Sequence, residues 1–275
     1  MKAIVHTKYG SPEVAKLVEV PKPTPKNNEV LIKVFTSTVN RTDSGFRSAE
    51  YFISRFWSGF LIIAENKAIE KIPDNLTFNE AAPISEGAHY ALCNIRASKI
   101  KNGQKALVYG ATGAIGSSAV QILRYFGVSV TAVCNTKNVE LLKSLGADKV
   151  IDYQMEDFTQ IEDKYHFIFD AVGKSSFKEC KPLLTEKGIY VSTELGKNAE
   201  NIFLALFTPL FRGRKVIFPI PTIDKQDLLF LKQLVEKGEY KPVIDREYRL
   251  EQIVDAYKYV ETGQKTGNVI LKIVE

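Results

Sequence analysis

A glycine-rich turn between an apolar strand and an apolar helix constrains the fold of this chain more than any other feature. Residues 106–109 read Ala-Leu-Val-Tyr, and Gly110 to Gly116 then lead directly into a predicted helix. The turn fits the pattern Gly-x-Gly-x-x-Gly at Ala111, Gly113 and Gly116, with alanine in the first position. Such a turn lets a pyrophosphate approach the backbone and the free N–H groups at the start of a helix. The sequence therefore predicts a dinucleotide site.

Beyond this turn, short apolar strands alternate with helical stretches. Fully apolar strands are typical of parallel sheets that helices cover on both faces, so the pattern predicts an α/β fold with a Rossmann-type doubly wound parallel sheet. The glycines alone could form a plain tight turn, but this context favours dinucleotide binding. The predicted strands are residues 106–109, 128–134, 150–151, 167–171, 189–192 and 216–218, and the clearest helices are residues 115–126 and 139–145.

The residues after the second predicted strand bear on the choice of dinucleotide. NAD sites usually carry Asp or Glu about 20 residues beyond the turn, where it holds the ribose 2′-hydroxyl. No acidic residue lies between Gly127 and Val139, and Thr136, Lys137 and Asn138 stand there instead. These side chains favour a 2′-phosphate, which a carboxylate would repel, so the sequence predicts NADPH rather than NADH. The alternative is that Thr136 only caps the next helix and that Lys137 is solvated.

The two ends of the chain differ from this central part. The first hundred residues are rich in β-branched runs, and a proline-rich loop separates two of them. Thr77 and Glu80 have the spacing of a capping box at the start of a helix. The other predicted elements are strands at 2–6, 16–20, 29–38 and 269–274 and helices at 86–97, 225–237 and 250–261.

Composition and charge exclude several classes of protein. Hydrophobic residues make up 45% of the chain and charged residues 25%, as in ordinary globular proteins. The longest apolar run, 202–207, is too short to span a bilayer, and the chain's start lacks a signal peptide's apolar core. A net charge of +5 without a basic cluster argues against nucleic-acid binding. No CxxC pair occurs among Cys93, Cys134 and Cys180, so we expect reduced thiols and a cytoplasmic protein without membrane contacts.

Histidine and cysteine spacing argues against a metal site. Catalytic zinc needs three protein ligands, and His6, His89 and His166 are the only histidines. None of them is paired with a nearby cysteine at a ligand spacing, so we assign no metal ligand. His89 lies on a predicted helix near the expected domain junction, where a structural role is favoured over a catalytic one.

Several segments together carry a family resemblance that covers both chain ends and the middle. They are residues 1–5, 23–25, 29–34, the Asn-x-x-Asp segment at 40–43, 103–116, 145–153 and 169–173. In these segments the chain resembles the medium-chain dehydrogenase/reductase superfamily, and within it the zinc-free quinone oxidoreductase (zeta-crystallin-like) branch. The Gly-His-Glu segment of the family's zinc-binding members does not occur in the sequence.

The resemblance implies two domains and a set of cofactor contacts. A Rossmann NADP-binding domain is expected at residues 101–224, and an abbreviated GroES-like β-barrel substrate domain at residues 1–100 and 225–275. The implied cofactor contacts are Gly113, Ala114 and Ile115 at the pyrophosphate, Thr136, Lys137 and Tyr153 at the 2′-phosphate, and Val172 and Gly173 at the nicotinamide ribose. Gly110, Ala111 and Thr112 in the same turn and Asn138 beside Lys137 are further cofactor-binding residues, and Phe218 and Asn268 are weaker candidates.

The resemblance also implies a reaction, namely zinc-independent hydride transfer from NADPH to a small carbonyl substrate such as a quinone or an enone. The protein would orient the cofactor and stabilise the enolate or quinol oxyanion. Asn40 would donate a hydrogen bond to that oxyanion, and Asp43 and Arg47 lie in the same substrate-side segment. Tyr51 is a candidate donor or proton source, and packing among neighbouring aromatic residues is the alternative.

One departure from the family pattern bears on activity. The family continues after Phe60 through several barrel strands, whereas Leu61 here already begins the stretch that follows those strands, so a block near residues 60/61 is missing. Two hypotheses follow. The protein is an active NADPH-dependent reductase with a shortened substrate domain, or it is an NADPH-binding protein with a defective substrate domain and little or no catalytic activity. The resemblance also suggests a homodimer through the edge of the Rossmann sheet.

Overall fold

The computed structural model describes residues 1–22, 24, 33–49, 71–222 and 224–273. Its strands are β1 (Lys2–Val5), β2 (Lys16–Glu19), β3 (Thr36–Val39), β4 (Lys105–Tyr109), β5 (Ser129–Cys134), β6 (Lys149–Asp152), β7 (Tyr165–Asp170), β8 (Leu184–Ser192), β9 (Lys215–Val216), β10 (Ile244–Arg249) and β11 (Asn268–Lys272). Its α-helices are α1 (Arg41–Ser48), α2 (Phe78–Ala81), α3 (Gly87–Ser98), α4 (Ala114–Tyr125), α5 (Val139–Ser144), α6 (Phe177–Cys180), α7 (Glu200–Phe207), α8 (Lys225–Glu236) and α9 (Ile253–Glu261).

A six-stranded parallel sheet forms the centre of the fold, in the order β6-β5-β4-β7-β8-β9. The chain moves outward from β4 to β6 on one side, returns to the centre, and moves outward again from β7 to β9. The carboxyl ends of β4 and β7 therefore lie side by side where the winding reverses, which is where open α/β sheets bind ligands. The predicted α/β class and the Rossmann-type doubly wound sheet are confirmed.

The predicted elements of the central part all occur, with shifted ends. β8 begins at Leu184, earlier than the predicted residue 189, and β9 is reduced to Lys215–Val216. The sequence did not predict α7, which contains the apolar run 202–207. Phe203 and Phe207 on this helix are exposed. Part of the apolar run therefore lies at the surface. The run contains no polar residues at helical spacing, so its sequence does not identify an amphipathic helix. None of the described helices combines the length and apolar character that a membrane crossing requires.

Apolar cores cover both faces of the parallel sheet. Successive residues of a strand face opposite sides, so Ala106 and Val108 of β4 belong to one core and Leu107 belongs to the other. Leu92 of α3 and Leu234 of α8 are buried in the same core as Val108. Both helices come from segments outside the predicted Rossmann limits. The predicted domain limits, residues 101 and 224, remain a prediction. This apolar core contains residues that lie outside each limit.

The two chain ends meet in a separate three-stranded sheet of the order β10-β11-β3. β11 pairs in parallel with β10 and antiparallel with β3, so a strand from the first forty residues is joined to the last described strand. Val39, Val260 and Val269 are buried in the core beside this sheet. β1 and β2 pair antiparallel in a two-stranded sheet. The GroES-like barrel remains a prediction, and the predicted break near residues 60/61 lies outside the described residues.

A buried arginine ties α1 to both ends of the chain. Arg47 is 2% exposed, and its guanidinium donates hydrogen bonds to the Glu261 carboxylate at the end of α9 and to the Gly10 carbonyl. It also lies over the ring of Tyr257, with 4.9 Å between the guanidinium carbon and the ring centroid. A buried guanidinium requires such partners, and the bonds fix their relative positions. Arg47 therefore positions α1 rather than facing a substrate.

The contact between α4 and the turn after β4 generates a stability prediction. An added Cβ at Gly116 would lie 2.2 Å from the Gly110 carbonyl oxygen, whereas one at Gly113 would meet nothing nearer than 3.7 Å. We expect Gly116→Ala to lower the free energy of unfolding by roughly 1–3 kcal/mol, the usual cost of overpacking. The control, Gly113→Ala, should change it by less than about 0.5 kcal/mol. Urea denaturation measures both values, and equal stabilities would contradict the prediction.

Candidate cofactor and substrate cleft

The glycine-rich turn between β4 and α4 forms one wall of a cleft. Gly110 has a φ of +72°, and a Cβ there would lie 2.4 Å from Cγ1 of Val172, so only glycine fits beside the turn that follows β7. Gly116 lies against the Gly110 carbonyl, which brings the start of α4 close to the strand. Gly113 is the N-cap of α4 and leaves open the space that a Cβ would fill. Gly113 and Gly116 match the second and third glycine roles of a dinucleotide turn, and Gly110, next to Ala111, provides the tight turn.

The part of this turn that faces the cleft suits an anion. Thr112, Gly113, Ala114 and Ile115 line the cleft. The first N–H groups of α4 have no partner within the helix, and no acidic side chain lies in its first turn. Ala111 is fully buried and shapes the turn from behind. The open space at Gly113 and the free N–H groups therefore fit the pyrophosphate of a dinucleotide.

The predicted 2′-phosphate residues lie beyond β5, and most of them are exposed. Lys137 is exposed, and so is Tyr153, whose N–H donates to the Cys134 carbonyl at 2.9 Å and thereby places the tyrosine beside the end of β5. Thr136 is exposed next to them. Asn138 differs, because it is buried and its amide donates to Oδ1 of Asn135 at 2.6 Å. Three of the four residues therefore share an exposed ledge, and Asn138 faces inward.

An acidic residue, Asp152, also lies at this ledge, although it was not among the predicted site residues. The parallel pairing of β5 with β6 puts Asp152 opposite Cys134. The Thr136 hydroxyl donates a hydrogen bond to the Asp152 carboxylate, and the N–H of Gln154 donates to its other oxygen at 3.0 Å. The acid is distant from Thr136 in sequence, so a search along the second strand alone does not find it. Its signal is the Asp-Tyr pair at the end of the third strand.

The turn after β7 is held by a buried carboxyl group. Asp170 is fully buried, and its carboxylate accepts hydrogen bonds from the N–H groups of Val172 at 3.1 Å, Gly173 at 2.8 Å and Ser175 at 2.9 Å. Burial raises the pKa of Asp170, and these backbone N–H groups oppose the rise. Gly173 has a φ of +65°. Asp170 therefore fixes the turn from which Val172 reaches the cleft.

The segment before β11 closes over the glycine-rich turn. The N–H of Gly267 donates to the Thr112 carbonyl at 2.6 Å. The next residue, Asn268, is 2% exposed and its amide donates to the Val243 carbonyl at 2.9 Å. Phe218 is half-buried beyond β9 and is not among the residues that line the cleft. Asn268 thus adjoins the glycine-rich turn through its neighbour Gly267, and Phe218 is not part of the cleft lining.

The opposite wall of the cleft is formed by the start of α1 and of α3. Oδ1 of Asn40 accepts a hydrogen bond from the Asp43 N–H, and the Asp43 carboxylate accepts one from the Asn40 N–H, each at 3.0 Å. Asn40 lines the cleft together with Glu86 and Lys265, neither of which was predicted as a site residue. The predicted candidate Tyr51 lies outside the described residues.

His89 adjoins this wall from within the core. It is 5% exposed, and its ring contacts Tyr90 edge-on with 5.5 Å between centroids. Burial lowers the pKa of His89, so the imidazole is uncharged at neutral pH. Within the described part of the chain, no three His, Cys, Asp or Glu side chains are grouped as a metal ion would require.

Known proteins resemble this chain over nearly its whole length. Residues 145–271 match a family described as zinc-binding dehydrogenase. The chain is 30% identical to the 2-methylene-furan-3-one reductase of Solanum lycopersicum in an alignment of 322 positions, which covers 98% of this chain and 79% of that protein. It is 27% identical, over the same length and coverage, to the chloroplastic NADPH-dependent alkenal/one oxidoreductase of Arabidopsis thaliana.

Solved structures share the fold. The quinone oxidoreductase from Coxiella burnetii matches with a TM-score of 0.87 and 23% identity, and the match covers 100% of this chain and 99% of that one. Both the sequence match over the full chain and the arrangement of the glycine-rich turn at the reversal point of the sheet lead to one assignment. The chain belongs to the medium-chain dehydrogenase/reductase superfamily, in its quinone oxidoreductase-like (zeta-crystallin-like) family.

Proposed function

We propose that this protein is a zinc-independent oxidoreductase that uses NADPH to reduce a quinone or enone-type carbonyl substrate. The observation that carries the proposal is one cleft in which the dinucleotide turn faces Asn40. Gly113 and its neighbours line one wall, Val172 lies at the end of β7, and Asn40 lies on the other wall. A nicotinamide beside Val172 and a carbonyl group beside Asn40 would share this space.

The names of the relatives support the reaction class. A 2-methylene-furan-3-one and an alkenal or alkenone each contain a carbonyl group next to a carbon–carbon double bond, and these are the compounds in the names of the two relatives. Zinc independence is supported by the sequence, whose three histidines have no cysteine at a ligand spacing.

The chain's own residues would orient the reactants and stabilise charge. NADPH, when bound, supplies the hydride. Oδ1 of Asn40 is held by the Asp43 N–H, so the amide nitrogen is the part of the side chain left to face other groups. Its N–H would donate a hydrogen bond to the oxygen on which negative charge develops.

The ledge beside β5 supports the choice of NADPH. Lys137 supplies a positive charge, and Tyr153 a phenol, to a 2′-phosphate placed there. Asp152 lies on the same ledge, but the Thr136 hydroxyl and the Gln154 N–H both donate to its carboxylate. These hydrogen bonds tie the Asp152 carboxylate to Thr136 and Gln154, and Lys137 supplies an exposed positive charge to the ledge.

The state of the cysteines supports the cytoplasm as the compartment. Cys93, Cys134 and Cys180 are free thiols. Burial raises the pKa of Cys134 to about 11 and that of Cys180 to about 12, so both stay protonated and unreactive. Such thiols are typical of a reducing compartment.

The second candidate function is an NADPH-binding protein without turnover. Its support is the length of the chain, because the alignment with the tomato relative spans 322 positions and the chain has only 275 residues. Several tens of positions in that relative therefore have no counterpart here.

A cofactor titration and a turnover assay separate the two candidates. We expect the purified chain to bind NADPH and to oxidise it in the presence of at least one member of a panel of quinones and enones. Fluorescence titration measures binding, and the loss of NADPH absorbance measures turnover. Binding without turnover across the panel would establish the second candidate, and failure to bind NADPH would exclude both.

A charge reversal tests the cofactor ledge. Lys137→Glu replaces the exposed cation by an anion, so we expect the affinity for NADPH to fall by at least about tenfold, while the affinity for NADH changes little. The control is Lys143→Glu, because Lys143 lies on the adjoining helix α5, where it pairs with Glu140. Equilibrium titrations with both cofactors provide the measurement. An unchanged preference between them would contradict the assignment of the ledge.

The exposed apolar side chains near β9 support a homodimer through this edge of the sheet. β9 is the last strand of the described sheet on its side, and Phe203, Leu206 and Phe207 of the nearby α7 are exposed. Pairing of two such edges would cover these side chains. We expect Phe207→Asp to produce a monomer in size-exclusion chromatography with light scattering. Met155→Asp, at an exposed site beyond β6, should leave the dimer intact, and a monomeric unmodified chain would contradict the proposal.

A further inference from the structure

Glu86 places a carboxyl group in the cleft, opposite the glycine-rich turn. It stands immediately before α3, but its side chain makes no hydrogen bond to that helix. The carboxyl group lines the cleft together with Gly113. The next residue explains the close approach, because a Cβ at Gly87 would lie 2.8 Å from the Ala114 carbonyl oxygen. The starts of α3 and α4 therefore meet directly, with Glu86 beside the cofactor turn.

Two side chains of the substrate wall orient this carboxyl group. The Thr38 hydroxyl donates a hydrogen bond to Oε2 of Glu86 at 3.1 Å. The Asn40 side chain also favours the ionised form of Glu86. Since the Asp43 N–H occupies Oδ1 of Asn40, the amide nitrogen is the part of Asn40 that can face Glu86. Glu86 is thus held beside the side chain that would bind the substrate oxygen.

Charged and titratable groups from several elements face Glu86. Burial raises the pKa of Glu86, and the nearby Lys265 ammonium is the largest opposing influence. The Lys265 ammonium also donates a hydrogen bond to the Gly267 carbonyl at 2.7 Å, so it does not interact with Glu86 alone. Burial lowers the pKa of Lys265. The other groups that face Glu86 are Asp43 on α1, Tyr90 on α3 and Tyr240.

These neighbours favour a protonated carboxyl group at this wall. Burial raises the pKa of Asp43 to about 6, and the charge of Glu86 adds to the rise against the hydrogen bond from the Asn40 N–H. The negative charge of Glu86 thus favours retention of a proton on Asp43, and burial favours retention of one on Glu86. Tyr90 lines the same cleft, but burial and the two carboxyl groups raise its pKa, so it releases its proton less readily.

We propose that Glu86 is the proton donor that completes reduction of the substrate. The inference rests on the proposed function, and it assigns to this chain's described residues the proton source for which the sequence offered only Tyr51. Asn40 cannot take that role, because an amide N–H donates a hydrogen bond but does not release its proton.

With an enone as substrate, reduction requires one hydride and one proton. NADPH, when bound, would supply a hydride that forms a C–H bond at the β-carbon and would leave as NADP⁺, while the electrons of the carbon–carbon double bond would move toward the carbonyl oxygen. The resulting enolate takes the proton of the Glu86 carboxyl group at its α-carbon, which restores the carbonyl group and leaves Glu86 as a carboxylate. Solvent then returns one proton to Glu86, so each turnover consumes one NADPH and one proton.

The test compares Glu86→Gln with the unmodified chain on the fastest enone of the assay panel. The amide keeps the size of the side chain and an oxygen that can accept the hydrogen bond from Thr38, but it has no acidic proton. We expect kcat to fall roughly 100-fold, as for loss of a general acid, while the Kd for NADPH stays within about twofold. Glu140→Gln, on the surface helix α5, is the matched control and should retain full kcat.

The pH profile separates proton donation from a structural role. The donor must be protonated, so kcat of the unmodified chain should fall as the pH rises through the pKa of Glu86, and this decline should be absent in Glu86→Gln. Thr38→Val provides a second variant. The Thr38 hydroxyl stabilises the ionised carboxyl group, so its loss should move the decline to higher pH without removing it.

The outcomes distinguish this inference from the proposed function. A Glu86→Gln variant with unchanged kcat and the unmodified pH profile overturns the role of Glu86 and leaves the proposed function standing. A lowered kcat with an unchanged pH profile shows a structural role only, and it also overturns the inference. If the unmodified chain binds NADPH but reduces no member of the panel, the proposed function fails and the inference fails with it.

Discussion

The close approach of backbone at the end of β4 is the constraint on which the cleft depends. Gly116 lies against the Gly110 carbonyl, so the first turn of α4 stands directly over the end of the strand. Gly110 also admits Val172 from the turn after β7, and Gly87 brings α3 against the Ala114 carbonyl. A Cβ at any of these glycines would separate two elements that now touch. The glycine-rich turn, the turn after β7 and the start of α3 are therefore held together by contacts between glycine backbone and its neighbours.

The sequence predicted the parts of this arrangement that are coded locally. The apolar strands and the turn from Gly110 to Gly116 are recognisable from neighbouring residues in the sequence. The structure has the six-stranded sheet that these strands predict, and it leaves open space where a Cβ of Gly113 would lie. The capping box at Thr77 and Glu80 is another local signal, and it forms at the start of α2 as predicted. The place where the winding of the sheet reverses, between β4 and β7, follows from the strand order. That order is part of the Rossmann-type prediction.

The remaining site residues are assembled by contacts between distant segments, and no local pattern identifies them. Asp152 reaches Thr136 because β5 and β6 pair in parallel with one particular register. Glu86 has the sequence context of a helix start, and only the packing of α3 against α4 turns its carboxyl group toward the cleft. Lys265 lies in the loop that Gly267 ties to the Thr112 carbonyl. Arg47 was predicted on the substrate side from its position in sequence, and its ion pair with Glu261 holds it in the interior instead.

The balance of charge links the two walls of the cleft. Arg41, Lys174 and Lys265 line it together with Glu86 and Glu194. A pyrophosphate at the glycine-rich turn would add negative charge close to Glu86, and an ionised carboxylate there would oppose it. A protonated Glu86 removes that opposition, and a bound pyrophosphate in turn raises the proton affinity of Glu86. Binding of a pyrophosphate at the glycine-rich turn and protonation of Glu86 would therefore favour each other.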